Sequence, residues 1–460
     1  MTDTLMVGVA GVRGIVGKDL TPEVVTRWAA AFGAWVRERA GNGRRVPVVL
    51  GRDARASGPA FAAAVATGLT ATGCDVIDVG LVPTPTVQLA VEHHRAGGGI
   101  AITASHNPIE WNALKFIGPD GIFLDGPEGG RVRALLAAGG APGPGDRGRV
   151  TTDGGAVERH LAAVLALPAV DVERIRGQGF TVALDAVRGA GGPVMRTLLE
   201  RLGCRVLGIH LETDGRFPRA PEPVPEHLGE LAALVRDSGA NVGFAVDPDV
   251  DRLAIVDDTG VPIGEDYTLA FAVRAVLGGA AAGTARGASV VCNLSTSLVV
   301  EDAVRECGAT LVRTPVGEAH VARKITELKA PIGGEGNGGV MYPALHVGRD
   351  APVAAALVLE LVARAKRRVS ALVAAAPRYV IVKAKVPRGP ALERTYAALR
   401  RRFGDAQVDT QDGLRLAWGD RWLHVRPSNT EPIIRLIAEA PTGAVAQELV
   451  DEGRRSCAAS

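Results

Sequence analysis

The sequence predicts an α/β protein: three similar α/β domains with mixed, mostly parallel sheets, followed by a smaller C-terminal α+β domain. Three observations predict it. A strand, a small-residue polar loop, a helix and a second strand recur three times, and such crossovers build mostly parallel sheets covered by helices. The Arg415–Val425 segment alternates polar and apolar residues instead, the pattern of an antiparallel sheet. At 460 residues the chain has room for roughly three or four domains of common size.

In chain order, Val48-Val49-Leu50 opens the first repeat and Gly73-Cys74-Asp75-Val76 closes it. Gly98-Gly99-Ile100-Ala101-Ile102 then reads as a buried strand, and Ser105 falls where it yields to a polar turn closed by Asn107-Pro108. The Pro/Gly-rich 139–149 stretch reads as a linker. Its Gly143-Pro144-Gly145-Asp146-Arg147-Gly148 matches a dinucleotide-binding pattern formally, but it follows a proline-rich loop and not a strand. Val182-Ala183-Leu184 and Gly203-Cys204-Arg205-Val206 frame the second repeat, and Val290-Val291-Cys292 and Gly308-Ala309-Thr310-Leu311 the third. With joints at 139–149, at the acidic Asp257-Asp258 turn and at 367–377, the expected domains are 1–150, 151–257, 258–370 and 371–460.

Two segments carry chemistry. Ser105 sits at a strand end, where α/β folds place their sites. A serine hydroxyl is a weak nucleophile near neutral pH and needs a base or a metal; His106 and Lys115 are the local candidates for the base. The second segment, Asp247-Pro248-Asp249-Val250-Asp251-Arg252, follows the strand pattern 241–246 and precedes apolar 253–256. Read as extended chain, it projects its aspartates to one face. Three close carboxylates repel one another, and a hard divalent cation held by oxygen ligands relieves this, so Mg²⁺ fits and Ca²⁺ is the second choice. A serine and a metal cradle together point to phosphoryl transfer.

These residues resemble the α-D-phosphohexomutase family of phosphoglucomutases, phosphomannomutases and phosphoglucosamine mutases, over nearly the whole chain. Gly11-Val12-Arg13-Gly14, Gly51-Arg52-Asp53-Ala54-Arg55-Ala56-Ser57-Gly58 and Pro83-Thr84-Pro85 are similar to its first domain. The serine loop through Asn112 and Lys115, the aspartate loop, Gly334-Glu335-Gly336-Asn337-Gly338-Gly339, and Arg426-Pro427-Ser428-Asn429-Thr430-Glu431-Pro432 with Arg435 then follow in the family's order. The resemblance implies four domains around a central cleft, the last a mobile lid. It implies that Ser105, carried as phosphoserine, exchanges its phosphoryl group with a hexose phosphate through a hexose 1,6-bisphosphate. Asp247, Asp249, Asp251 and the phosphate on Ser105 would then hold Mg²⁺. Lys115 becomes the acid or base, Arg252 supports the transferred phosphate, His106 lies beside the serine, and Arg13 belongs to the family's opening loop.

The glycines around Glu335 allow close approach to a ligand, and Glu335 and Asn337 can hydrogen-bond vicinal hydroxyls, so that loop is expected to read the sugar. Glu318 and His320 lie where relatives carry another sugar-facing loop. Arg426, Ser428, Asn429, Thr430 and Arg435 offer guanidinium forks, hydroxyls and amides suited to the non-transferred phosphate. The form Gly-Asn-Gly-Gly replaces the frequent Ser-Gly-His ending and looks most like archaeal-type phosphoglucosamine mutases and related phosphomannomutase/phosphoglucomutase enzymes. Ala113 replaces a common glycine. A metal-dependent phosphatase or a silent sugar-phosphate binder would be the competing classes; the intact serine, lysine and aspartates disfavour the binder, and separate sugar and phosphate loops disfavour the phosphatase.

Composition is compatible with this reading. Hydrophobic residues make up 47%, enough for several cores, and the formal net charge of +2 argues against broad attraction to nucleic acid or membrane. The expected partners are small-molecule sugar phosphates, with the chain a monomer or homodimer. Five scattered cysteines lack metal-ligand spacing and suit a reducing cytoplasm. No basic and apolar leader opens the chain, and no run is long enough to span a bilayer.

Overall fold

In the computed structural model, residues 5–41, 45–139, 147–279, 285–389, 392–428 and 433–458 are described. Most of the Gly143–Gly148 stretch, together with Asn429, Thr430, Glu431 and Pro432, lies outside them.

The first sheet has seven strands, ordered in space Met6–Val7, Gly11–Ile15, Trp111–Ile117, Gly98–Ile102, Pro47–Arg52, Asp75–Leu81, Val150–Thr152. Pairing is antiparallel up to Gly98–Ile102 and parallel beyond it. The paired glycines that open the Gly98–Ile102 strand have a steric reason: a Cβ on Gly98 would lie 2.7 Å from the Ile117 carbonyl oxygen. Helix Pro22–Ala40 covers one face; Thr21 caps it, Pro22 occupies the first turn and Gly41 follows its end. Its Phe32 stacks on Phe116 of the sheet at 4.9 Å.

The second sheet runs Leu253–Val256, Val242–Val246, Thr181–Asp185, Arg205–Ile209, and the third Thr310–Thr314, Ser289–Asn293, Ile332–Glu335, Gly339–Met341. Each has one antiparallel pair and two parallel ones. In all three sheets the strand leading into a predicted functional loop runs parallel to the first strand of its repeat and antiparallel to the strand after the loop. Ser105, Asp247 and Glu335 thus occupy the same topological place in three copies of one unit.

The last sheet is wholly antiparallel: Val380–Pro387, Ile433–Ala440, Trp422–Pro427, Leu414–Ala417, Gln407–Asp409, with helices Leu392–Arg402 and Gly443–Ala458. This is the hairpin geometry the alternation predicted. The stretch 367–377, read as a plain joint, contains a short helix, Val369–Ala374, whose Ser370 amide donates to Asp258.

The cores do not follow the sheets one for one. A continuous cluster of buried side chains runs from Leu161 to Ala376, so the second and third sheets share it. Helix Ala351–Ala365 lies within that cluster with nearly every residue buried, and Asp350 caps it by accepting from the Val353 amide. Ile122 of the first sheet's loops packs with Val291, Val321 and Met341 of the third. The last sheet has a core of its own, from Ala384 to Val450. Among the described residues no helix is long and apolar enough to cross a membrane.

Candidate active site

Ser105 is buried and its backbone is left-handed, φ 46°. A non-glycine residue holds that conformation only where its surroundings impose it. The buried Arg55 guanidinium imposes it here: Nη2 donates to the carbonyls of Ser105 and Asn107 (both 2.7 Å), and Nη1 to those of Pro108 and Trp111 (2.7 and 2.8 Å). Asp53 in turn accepts from Arg55 Nε and from Thr103 Oγ1, which receives the Ser105 amide. The serine turn is therefore wrapped around one arginine. Its hydroxyl leaves the first sheet and donates to Asp247 Oδ2 at 2.7 Å.

The aspartate segment corrects the sequence expectation. Asp247–Asp251 is a turn and not an extended strand: Asp247 Oδ1 accepts from the amides of Asp251 and Arg252, and Val250 is left-handed, φ 62°. The carboxylates converge because the chain folds back, so that one ligand oxygen from each of Asp247, Asp249 and Asp251 lies within 4.8 Å of the others. Three successive carbonyls of the turn are held by three different parts of the chain: Pro248 O by the Ala190 amide, Asp249 O by that of Thr84, and Val250 O by that of Ala351.

The outer oxygens of the turn are satisfied. Asp249 Oδ2 receives Thr84 Oγ1 at 2.8 Å and Lys115 Nζ at 2.6 Å, and Asp251 Oδ2 receives Arg349 Nη2 at 2.6 Å. Asp249 Oδ1 and Asp251 Oδ1 are buried and have no hydrogen-bond partner. Burial, and then the charges of Asp249 and Asp251, push the Asp247 carboxyl well above the usual carboxylate range. Burial, the largest single influence, acts on Asp249 in the same direction, but the charge of Lys115 together with hydrogen bonds from Lys115, Asp247 and Thr84 holds that carboxyl below its ordinary value. A buried acidic cluster with two orphaned oxygens is the donor set a hard cation satisfies.

Arg13, Ser105, His106, Lys115, Arg252, Glu318 and Arg349 line one cavity of about 220 Å³ beside this turn. Arg13 Nη1 donates to Asn107 Oδ1 at 2.5 Å, bracing the serine loop from the opening strand. Burial, reinforced by Arg252 and Arg13, holds His106 well below the ordinary histidine value, so its ring is neutral. Lys115 is raised: burial lowers it, but Asp249 and Asp251 prevail, and it is an ammonium. Arg252 reaches Glu222 at 3.4 Å.

Glu335 lies at the third sheet's strand end with both oxygens engaged. Oε1 accepts from Asn293 Nδ2 and the Gly317 amide, and Oε2 from Arg349 Nη1 and Asn337 Nδ2. Glu318 accepts from the Arg349 amide and Nε. His320 is exposed on the helix Glu318–Leu328 and is not among the cavity-lining residues. Arg426 lies on the Trp422–Pro427 strand directly across from Arg435, is nearly buried, and donates through Nε to Asp412 Oδ2 at 2.8 Å. Ser428 follows at the strand's end.

Models of the phosphoglucomutase/phosphomannomutase α/β/α domains I, II and III match residues 4–140, 158–260 and 265–379, and that of the family's C-terminal domain matches 381–456. The chain belongs to the phosphoglucomutase/phosphomannomutase family. It is 37% identical over 453 residues to a "probable phosphoglucosamine mutase" of Methanopyrus kandleri, covering 97% of this chain and 96% of that protein. It is 36% identical over 453 residues to a phosphoglucomutase/phosphomannomutase of Thermococcus kodakarensis, covering 97% of each. The crystal structure of a phosphoglucomutase/phosphomannomutase family protein from Burkholderia thailandensis superposes with a TM-score of 0.84 at 30% identity, covering 99% of this chain and 97% of that one.

In this phosphohexomutase the structure adds residues to which the sequence attached no role. Arg55 and Thr84 lie inside the motifs named above, but nothing in their spacing shows that one holds the serine turn and the other the aspartate turn. Arg349 gave no signal: it is a lone arginine after Gly348, yet it bonds Asp251, Glu318 and Glu335 at once. Asp412, in an Asp-Gly turn, was also passed over.

Proposed function

We propose that Ser105 carries a phosphoryl group and exchanges it with hexose phosphates, converting hexose 6-phosphate to hexose 1-phosphate and back through the 1,6-bisphosphate. The observation that carries this reading is the Ser105 hydroxyl donating into a turn whose two inner carboxylate oxygens lack hydrogen-bond partners. Asp247, Asp249 and Asp251, with the phosphate on Ser105, would hold Mg²⁺. Bound there, the ion would neutralise charge on the phosphoryl oxygens.

In the forward step a sugar hydroxyl oxygen bonds to phosphorus as the bond from phosphorus to Ser105 Oγ breaks; the sugar hydroxyl gives its proton to water, and the serine oxygen takes one from Lys115 Nζ, which recovers it from water. Lys115, kept protonated by its aspartates, is the acid on the serine side. Arg252 and Arg13 supply positive charge around the group in transfer, and the neutral His106 beside the serine serves as a hydrogen-bond partner. The return step delivers the sugar's other phosphate to Ser105 after the bisphosphate has turned over.

Glu335, Asn337 and Glu318 read the sugar, with His320 at the margin, and Arg426, Ser428, Asn429, Thr430 and Arg435 grip the phosphate that does not react. An aminosugar phosphate is the preferred substrate, making the enzyme a phosphoglucosamine mutase. The names of its relatives support this; phosphomannomutase or phosphoglucomutase activity is the alternative. Peptide mapping of active enzyme is expected to find phosphate on Ser105, and Ser105→Ala to abolish turnover. Phosphate solely elsewhere, or full activity in that variant, overturns the reading. Relative turnover of glucosamine, glucose and mannose 6-phosphates decides the sugar.

A further inference from the structure

The turn between strands Gln407–Asp409 and Leu414–Ala417 lies directly against Arg426. Gly413 is left-handed, φ 77°, and a Cβ there would lie 2.4 Å from the Val425 carbonyl oxygen and 2.9 Å from Arg426 Cα. Only glycine lets the turn sit so close, and this closeness presents Asp412 to two different domains. Asp412 Oδ2 accepts from Arg426 Nε at 2.8 Å and from the Val316 amide at 3.1 Å. Val316 is two residues before Glu318, in the segment whose Gly317 amide donates to Glu335.

The same turn is fixed a second time. His424 Nε2 is 2.7 Å from the Asp412 carbonyl oxygen, which can only accept, so Nε2 carries the proton. Nδ1 is then an acceptor and takes the Ser295 hydroxyl at 2.9 Å, from the loop after strand Ser289–Asn293. Two loops of the third sheet therefore hold one turn of the last.

We propose that Asp412 is a positioning residue that sets the distance between the phosphate grip at Arg426 and the sugar-reading loop at Val316–Glu318. The proposal rests on the distal-phosphate reading of Arg426. With Nε committed to Asp412, the plane of the guanidinium is fixed relative to the loop that reads the sugar ring. A phosphosugar spans those two points in either orientation, so Asp412 acts on the binding of both.

The test is steady-state kinetics with the 1- and 6-phosphates of glucosamine and of glucose, for wild type, Asp412→Ala, Asp412→Asn, Arg426→Ala and the double variant Asp412→Ala/Arg426→Ala. Asp412→Ala should raise KM about tenfold in both directions, with kcat falling less. Asp412→Asn should recover most of that loss, because its amide oxygen accepts from the same two donors. In the Arg426→Ala background, Asp412→Ala should add less than about twofold, because it acts through a group already gone. If Asp412→Ala does not fold, the same cycle is run with Asp412→Asn, whose smaller loss must likewise vanish without Arg426. A raised KM in Arg426→Ala with a normal KM in both Asp412 variants overturns this proposal alone. So do fully additive losses, or an Asn variant no better than Ala. A normal KM in Arg426→Ala overturns the distal-grip reading and this proposal with it.

Discussion

Asp249 pairs through one oxygen with Lys115 and Thr84 and leaves the other, buried, without a partner. Asp249→Asn should leave the metal-free protein folded, because an amide oxygen still accepts from Thr84 and Lys115 keeps Asp251 as a counter-ion at 3.5 Å. It should abolish the rise in melting temperature that Mg²⁺ gives the wild type and slow transfer by orders of magnitude. Thermal melts with and without Mg²⁺, beside initial rates, check both; an undiminished Mg²⁺ response counts against the assignment. Arg349 behaves differently, since it neutralises three carboxylates from three loops. Arg349→Met removes the one cation that bonds all three and should cost on the order of 3–5 kcal/mol in urea unfolding, with Arg349→Lys recovering only part, because one ammonium cannot reproduce the fork. The contrast between these residues explains what was legible. Asp247, Asp249 and Asp251 share five consecutive positions, so their chemistry is visible in the sequence. Arg349 takes its meaning from partners at 251, 318 and 335, which only the fold brings together.

Among elements, the strands under Ser105 and Asp247 were readable because each is an apolar run broken by polar turn residues, whereas the short strand Ile332–Glu335, half of it glycine, read only as part of the sugar loop. The shape of the aspartate turn was not readable. Alternate aspartates mimic strand periodicity, and nothing local announces that a buried β-branched residue, Val250, will be left-handed; contacts distant in sequence override its preference. The helix Ala351–Ala365 gives an element-scale prediction. Its cap, Asp350, also accepts from the buried rings of His160 at 2.8 Å and His346 at 2.9 Å. Asp350→Ala should cost about 2–4 kcal/mol in chemical denaturation: about 1 for the cap and the remainder for two buried ring N–H groups left without acceptors. A loss no larger than an ordinary cap deletion would mean that those rings find water or other partners.

For the whole molecule, the threefold repeat was legible and the shared core was not, because packing between the second and third sheets joins residues that are far apart in sequence, such as Leu184 and Leu357. The last sheet, with a core of its own, should melt separately in calorimetry, and Mg²⁺ should shift only the transition of the other three. Acid should act on the last sheet. Burial lowers His424 from the ordinary 6.5 to about 4. Above pH 6.5 the ring is neutral folded or unfolded and its contribution is complete; as pH falls from 6.5 towards 4 the unfolded chain binds a proton that the folded chain still resists, and on the order of 3 kcal/mol is lost by the time the folded ring also protonates near 4. Denaturation between pH 7 and 4 should show this slope in wild type and a flatter one in His424→Gln. The aspartate turn carries a different kind of consequence. Its carbonyls at 248, 249 and 250 each accept an amide from a separate region, near 190, 84 and 351. A side chain there can be exchanged at a local cost. A single inserted or deleted residue would instead slip the carbonyls past all three donors together, so the turn should tolerate changes of identity far better than changes of length.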